Sequence, residues 1–160
     1  MEQSVHLPAH CNIEKCQAFF ALFARFEYAM KATGIRQARK SGAVEANWNS
    51  LAEDVGPQLM DSPIEEIRQA CTYLLTQPPK RQDLKGNSLV WSAVPANQGS
   101  DAKDLFVYIC RVRNNLFHGG KFRGQYLADP ERSSQLIDAS TTVLNAVLQL
   151  RPRLQEAFHG

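Results

Sequence analysis

The chain has 160 residues, of which 44% are hydrophobic and 21% charged, and its net charge is +2. These values are typical of a soluble globular protein and leave room for one domain. The longest apolar run, residues 18–24, is far shorter than the roughly 20 residues of a membrane span, so no contact with a membrane is expected. The N-terminus has no basic segment followed by an apolar one, so we expect a cytoplasmic protein without a signal peptide.

A first helix is predicted between Asn12, a good N-cap residue, and Gly34, a residue suited to a helix end. Apolar residues cover much of its circumference, so this helix should be central in the fold. These residues are Ile13, Cys16, Phe19, Phe20, Leu22, Phe23, Phe26 and Met30. Residues 1–11 before the helix are predicted to be a tail, and the basic residues 36–42 after it to be a loop.

Two further helices are predicted in the middle of the chain. A short one covers residues 48–55 and is ended by the Gly-Pro pair that follows it. The next has Ser62 as its N-cap, proline at the first helical position and glutamate at the third, and it runs to about Thr76. Residues 78–100 show no helical period and are predicted to form a long loop.

The C-terminal part has the most regular helix patterns. One helix begins at Asp101, has apolar residues every three or four positions, and ends at the two glycines after His118. Another begins at Asp129 and is ended by Pro152. Four principal helices and no convincing strand predict an all-α protein, a helical bundle of four to five helices in one domain over residues 1–160.

Basic residues are concentrated in two stretches without acidic residues, 31–44 and 105–128. Such stretches can attract a phosphate ligand, although charged helix faces are also commonly just solvated. Four residues near the N-terminus carry groups that can bind metal: His6, His10, Cys11 and Cys16. Their spacing matches no standard zinc pattern, so we expect neither a metal nor another cofactor.

The end of the helix that begins at Asp101 carries polar residues suited to RNA cleavage. Asn114 and His118 differ in direction by only about 40°, whereas Arg113 and His118 differ by about 140°. A histidine can remove the proton of a 2′-hydroxyl or protonate a leaving 5′-oxygen, and an arginine can stabilise charge on the phosphate. The same residue types also cap the C-termini of helices, so the spacing alone leaves both interpretations open.

Two segments resemble the HEPN superfamily. Residues 113–120, RNNLFHGG, resemble its Arg-x4-6-His signature, and residues 23–34, FARFEYAMKATG, resemble the opening helix of a small bacterial HEPN family. The resemblance spans most of the chain and implies a helical bundle, commonly a homodimer whose paired motifs meet at a cleft between subunits. It also implies a metal-independent endoribonuclease of a toxin or defence type, although other HEPN proteins are non-catalytic.

By this resemblance Arg113 and His118 take the signature positions and Asn114 the polar position, so these three are the expected catalytic residues. Further residues are expected to bind the RNA or, in the first helix, to support the site: Asn115, Arg111, Lys121 and Arg123 for binding, Glu27 and Lys31 for support. An antitoxin or another regulator is a further possible partner. HEPN toxins that a nucleotidyltransferase antitoxin modifies often continue as His-x-Tyr, and here two glycines follow His118 instead.

Two functions are therefore in competition. The first is an endoribonuclease that leaves a 2′,3′-cyclic phosphate, which requires a histidine that reaches the substrate. The second is a non-catalytic HEPN module that binds RNA, a nucleotide or a partner protein. Both need the helix that ends at His118, but only the first needs Arg113 and His118 to converge on one phosphate.

Overall fold

The computed structural model describes residues 12–118 and 129–160, so the predicted tail lies outside the described residues. These residues form six helices: α1 Ile13–Ala32, α2 Trp48–Met60, α3 Glu65–Thr76, α4 Asp101–Phe117, α5 Pro130–Leu150 and α6 Pro152–His159. They also form two antiparallel hairpins, one of β1 Arg36–Ala38 with β2 Val44–Ala46 and one of β3 Arg81–Lys85 with β4 Ser88–Ser92. The fold is thus mostly helical, as predicted, but it has six helices and two hairpins where four to five helices and no strand were predicted. None of the described helices has both the length and the apolar composition needed to cross a bilayer.

Three helix starts follow directly from local sequence. The side chains of Asn12, Ser100 and Asp129 each accept a hydrogen bond from the backbone N–H three residues later, at 3.0, 3.3 and 3.0 Å. Each bond satisfies a donor that the first turn of a helix leaves without an intrahelical partner. The predicted starts of α1, α4 and α5 are therefore confirmed.

All six helices contribute residues to one core, and α1 buries one face in it rather than lying at its centre as predicted. Most of the residues predicted to face inward on α1, α4 and α5 are buried: Phe19, Phe23, Phe26 and Met30; Leu105, Tyr108, Ile109, Val112 and Leu116; and Leu136, Ile137, Val143, Leu144 and Val147. The Trp48 ring of α2 stacks on Phe26 at 5.7 Å between centroids and lies 5.8 Å from Phe106. This aromatic contact joins α1, α2 and α4 beneath the site described below.

The predicted end of α2 is wrong, because the helix continues through Gly56 and Pro57 to Met60. Val55 and Leu59 are both fully buried, and their burial stabilises the helical turn across the Gly-Pro pair. Gly56 also lies against α4, where an added Cβ would be 2.6 Å from the Cβ of Ala102. Glycine at this position lets the two helices approach closely, so its role is packing and not helix termination.

The predicted capping of α3 is wrong as well. The helix begins at Glu65, and the N-cap position is held by Ile64, which makes no side-chain capping bond. The Ser62 hydroxyl instead accepts a hydrogen bond from the backbone N–H of Ile64 at 3.2 Å, and Arg68 donates to the Ser62 carbonyl. Ser62 therefore stabilises a local turn, an alternative that serine side chains offer to the backbone.

Residues 36–42 and 78–100, both predicted to be loops, each contain strands. In the first hairpin Gly42 has a φ of 85°, and in the second the two-residue turn begins with Gly86 at a φ of 59°. Glycine adopts these angles without strain, and a glycine at the first central position is typical of the type II′ turn. Pairing within each hairpin satisfies backbone groups that a long loop would leave to water.

The junction of α5 and α6 gives a prediction for stability. Arg151 binds both carboxylate oxygens of Asp54 in α2, with its Nε 2.6 Å from Oδ2 and its Nη2 3.0 Å from Oδ1. The hydrogen bonds from Arg151 lower the pKa of Asp54 from its ordinary value. This contribution to stability is therefore present above the unfolded pKa, about 4, and is lost as the pH falls through the folded pKa.

We expect Arg151→Met to lower the unfolding temperature at pH 7, and the difference from wild type to shrink as the pH falls below about 4. Thermal unfolding followed by circular dichroism at pH 7 and at pH 3 measures it. Arg153→Met is the control, because Arg153 is exposed two residues away and should show no such pH dependence. An Arg151→Met difference that is the same at both pH values would contradict the prediction.

Candidate functional site

A cleft of about 500 Å³ opens between α2, α4 and the start of β3. Three cationic side chains line it, those of Arg81, Lys103 and Arg111, together with His118. Of the described residues that line the cleft, none carries a carboxylate. Its floor is apolar and includes Trp48, Phe106 and Val107. The cleft therefore combines positive charge with an apolar surface, as sites for phosphate-bearing ligands with aromatic rings do.

The three cations differ in how far carboxylates neutralise them. Arg81 Nε lies 2.7 Å from Asp83 Oδ1, and Lys103 Nζ lies 2.7 Å from Glu53 Oε1. The bonds that Arg111 donates go instead to neutral backbone carbonyls. Burial lowers the pKa of Arg111 from its ordinary value, but a guanidinium remains charged at physiological pH. Arg111 thus supplies the positive charge that is least compensated inside the cleft.

One face of α4 supplies much of the lining. Lys103, Val107, Cys110, Asn114 and His118 all face the cleft, and they follow one another at steps of three or four residues. This spacing is that of a single helical face. The prediction that Asn114 and His118 share a face is therefore confirmed.

His118 forms the C-cap of α4 through its backbone, whose N–H donates to the Asn114 carbonyl at 3.0 Å. The residue is exposed, and its ring meets the Phe117 ring edge-on at 5.5 Å. Within the described residues the imidazole makes no hydrogen bond. A general acid or base needs a ring nitrogen that can reach the substrate, and no residue of 12–118 or 129–160 is hydrogen-bonded to either nitrogen.

Arg113 lies on another side of α4, against α1. Its guanidinium carbon is 4.9 Å from the centre of the Phe23 ring, and its Nη2 is 3.9 Å from Glu27 Oε1. Its Nε is buried and has no hydrogen-bond partner in the described part of the chain. Arg113 is not among the residues that line the cleft of His118, as the offset of about 140° along a helix predicts. One subunit therefore does not direct both side chains into the same cleft.

Arg111 and Asn115, predicted to bind substrate, line the cleft and also hold the segment that carries β3 and β4. Arg111 Nη1 donates to the carbonyls of Pro79, at 3.1 Å, and Val94, at 2.7 Å. Asn115 Nδ2 donates to the carbonyl of Lys80 at 2.8 Å. The two side chains fix the base of this hairpin onto α4, so they form part of the framework of the cleft.

The first-helix residues differ in their contacts. Glu27 contacts Arg113 and also accepts a bond from Trp48 Nε1 at 3.3 Å, so it links the motif to the floor of the cleft. At Lys31 the hydrogen bond is formed by the backbone, whose carbonyl accepts from Arg36 Nη1 at 2.8 Å. Glu27 thus contacts the motif directly, as expected of a supporting residue. Lys31 contacts the first hairpin instead.

Sequence reasoning missed four polar or charged residues that line the cleft. Arg81 and Gln82 come from β3, Asn49 from the first turn of α2 and Lys103 from the first turn of α4. The signal for the hairpin was the Gly-Asn pair at residues 86–87, a dipeptide that often joins two strands. Asn49 had no signal of its own, because only packing shows that the start of α2 faces α4.

Several predicted residues lie outside the described part of the chain. They are Lys121 and Arg123, predicted to bind RNA, and the N-terminal residues His6, His10 and Cys11. Across residues 12–118 and 129–160, no three His, Cys, Asp or Glu side chains are placed to hold a metal ion.

Comparison of the chain with family models, with curated proteins and with solved structures gave no match. The resemblance to HEPN proteins therefore rests on residues 23–34 and 113–120. The chemistry of the site is inferred from the side chains that line the cleft.

Proposed function

We propose that this protein is a metal-independent HEPN-type endoribonuclease that cleaves RNA at the cleft lined by Asn114 and His118. The observation that carries the proposal is an exposed imidazole, free of hydrogen bonds within the described residues, beside a cleft lined by three cations. Such a cleft attracts the phosphodiester backbone, and histidine changes its protonation state near neutral pH. The resemblance of residues 113–120 to the HEPN signature supports the same assignment.

In the proposed reaction His118 removes the proton of a ribose 2′-hydroxyl, and the 2′-oxygen attacks the adjacent phosphorus. The bond from phosphorus to the 5′-oxygen breaks, and that oxygen takes up a proton from a second acid. The products are a 2′,3′-cyclic phosphate and a 5′-hydroxyl. Arg111, together with Arg113 of a second copy, stabilises the charge that develops on the phosphate, and the Asn114 carboxamide donates a hydrogen bond to a phosphate oxygen or orients the imidazole.

The proposal includes a homodimer in which the two α4 helices end near the two-fold axis. One chain offers His118 to its own cleft, whereas its Arg113 lies against α1. A second copy would bring a second histidine, able to act as the acid, and a second arginine to the same substrate. Phe117, directly before His118, is 68% exposed and gives this end of α4 an apolar surface for such a contact.

A toxin or defence role, with an antitoxin or another regulator that restrains the enzyme, is part of this proposal and comes from the resemblance. An unrestrained ribonuclease damages its host, so expression of the wild type should be toxic and expression of an inactive variant should not.

A non-catalytic HEPN module that binds RNA, a nucleotide or a partner protein is the second candidate. The observation in its favour is the position of Arg113, outside the cleft that His118 lines in the same subunit. Binding requires only the cationic cleft, whereas catalysis also requires an arrangement that brings Arg113 to the phosphate.

The test is cleavage of a labelled single-stranded RNA in excess EDTA. We expect cleavage to persist, with products that end in a 2′,3′-cyclic phosphate, because proton transfer and cationic side chains supply what a metal would otherwise supply. Gel electrophoresis and mass spectrometry of the products measure it. The all-deoxy form of the same oligonucleotide is the control, because it lacks the attacking hydroxyl.

Activity that EDTA abolishes and magnesium restores would contradict the proposed mechanism. Tight binding of the RNA without any cleavage would favour the second candidate.

A further inference from the structure

Three carboxamides that line the cleft form no side-chain hydrogen bond within the described residues: Asn114, whose role is given above, and Gln82 and Asn49, which lie on different walls. Gln82 extends from β3 and is half-buried, and Asn49 extends from the first turn of α2 and is exposed. Within the described residues neither side chain donates or accepts a hydrogen bond. Other carboxamides nearby form hydrogen bonds within the fold: Asn115 donates to the Lys80 carbonyl, and Asn47 accepts from the Ser50 N–H.

Neighbouring contacts fix the backbone positions from which Gln82 and Asn49 extend. Gln82 follows Lys80 by two residues, and the Lys80 carbonyl is fixed to α4 by Asn115. Asn49 follows Trp48, whose ring is packed on Phe26 in the aromatic contact below the cleft. Because the backbone is fixed at these two positions, only the side-chain rotamers need to be ordered when a ligand binds.

We propose that Gln82 and Asn49 bind the edge of one unpaired nucleobase, adenine in preference to the others, and so select where single-stranded RNA is bound and cut. Adenine presents an acceptor beside its amino group on two edges, N1 with N6 and N7 with N6, and one carboxamide satisfies each pair. Two carboxamides on different walls can therefore bind one adenine at both edges, whereas cytosine presents such a pair on one edge only. This inference rests on the proposed function of the cleft as an RNA site. It adds a specificity determinant that lies outside the Arg113–His118 motif.

The rest of the cleft suits a single extruded base. Trp48, Phe106 and Val107 provide apolar surface for the base, and Arg81, Lys103 and Arg111 provide positive charge for the flanking phosphates. A volume of about 500 Å³ lies in the range of sites that enclose a small ligand. Side chains cannot read the deep major groove of an RNA duplex, whereas unpaired bases expose their edges, so the occupant is single-stranded.

The experiment separates binding from cleavage. The probes are fluorescently labelled single-stranded 2′-fluoro oligonucleotides of uridine with A, G, C or U at one central position, which lack the 2′-hydroxyl and cannot react. Fluorescence anisotropy at fixed salt gives the four dissociation constants. We expect the adenine probe to bind about tenfold more tightly than the others, the scale of one bidentate contact between a carboxamide and a base.

Gln82→Leu and Asn49→Leu should each reduce this preference while binding of the uridine probe stays within about twofold of wild type, because the cations that contact phosphate remain. Asn87→Leu is the matched control, since Asn87 lies in the turn of the same hairpin, outside the cleft, and should retain the preference. Circular dichroism establishes whether each variant is folded. The two substitutions lie on separate elements, β3 and α2, so if one variant does not fold, the other still tests the inference.

Equal affinities for the four probes, or a preference for a base other than adenine, would overturn the inference. So would an adenine preference that persists in both leucine variants. Cleavage of ordinary RNA is measured separately. If the protein prefers adenine but cuts no RNA, the inference is supported and the endoribonuclease proposal is refuted. If it cuts RNA without any base preference, the endoribonuclease proposal is supported and the inference is refuted.

Discussion

The substitution His118→Ala is expected to lower the rate of RNA cleavage by at least about a hundredfold, which is the scale of a general acid or base. The imidazole is exposed and lines the cleft, so its loss removes the group that transfers the proton. The fold should survive, because His118 ends α4 through its backbone N–H, which alanine retains. Initial rates on a labelled RNA and thermal unfolding by circular dichroism measure the two effects.

His159→Ala is a closely matched control. His159 is also exposed at the end of a helix, and its ring meets the preceding Phe158 edge-on at 5.3 Å, much as the His118 ring meets Phe117 at 5.5 Å. It lies on α6, whereas the cleft is formed by α2, α4 and β3, so the cleavage rate should not change. If His118→Ala instead lost helical signal or thermal stability, the motif would act as a helix cap. A folded variant with the wild-type rate would refute a catalytic role.

Arg113→Ala should also lower the rate by at least about a hundredfold, while the free energy of unfolding changes by no more than about 1 kcal/mol. The guanidinium packs on the Phe23 ring and lies 3.9 Å from Glu27, contacts that stabilise the fold only modestly. Its buried Nε has no partner in the described residues, so alanine removes an unsatisfied donor as well. Arg153→Ala, at an exposed position on α6, is the control.

The effect of Arg113 on cleavage depends on a second copy, because Arg113 does not line the His118 cleft of its own subunit. Light scattering at micromolar concentration should therefore give twice the mass of one chain for both the wild type and Arg113→Ala. A stable monomer that still cuts RNA would refute the composite site. So would a dimer with its two His118 residues on opposite outer faces.

Local sequence was sufficient to predict the helices whose starts and faces are set by neighbouring residues. Asn12 caps the helix that it was predicted to cap, Asp129 caps the helix that was predicted to begin there, and the buried stripe of α4 follows its apolar spacing. Asn114 and His118 share a face because a helix fixes that relation over four residues. These features need no knowledge of the rest of the chain.

The errors arose where distant packing decides the structure. The sequence predicts a helix end at Gly56, but Gly56 packs closely against Ala102 of α4 and lies inside the helix. The strand β1 is exposed at all three positions, so it lacks the apolar alternation by which a strand is identified. The position of Arg113 against Phe23 likewise follows from how α1 packs on α4, which spacing within one helix cannot show.

The second hairpin, formed by β3 and β4, is anchored in a way that lets its sequence vary. Within the described residues, the hydrogen bonds that Arg111 and Asn115 donate to this segment go to the backbone carbonyls of Pro79, Lys80 and Val94, and a carbonyl is present whatever the residue. Residues between these anchors can therefore be replaced, or the tip lengthened, without loss of the hydrogen bonds that hold the hairpin on α4. Substrate preference can thus diverge, or be reprogrammed by grafting other hairpins, while the reacting groups on α4 stay the same.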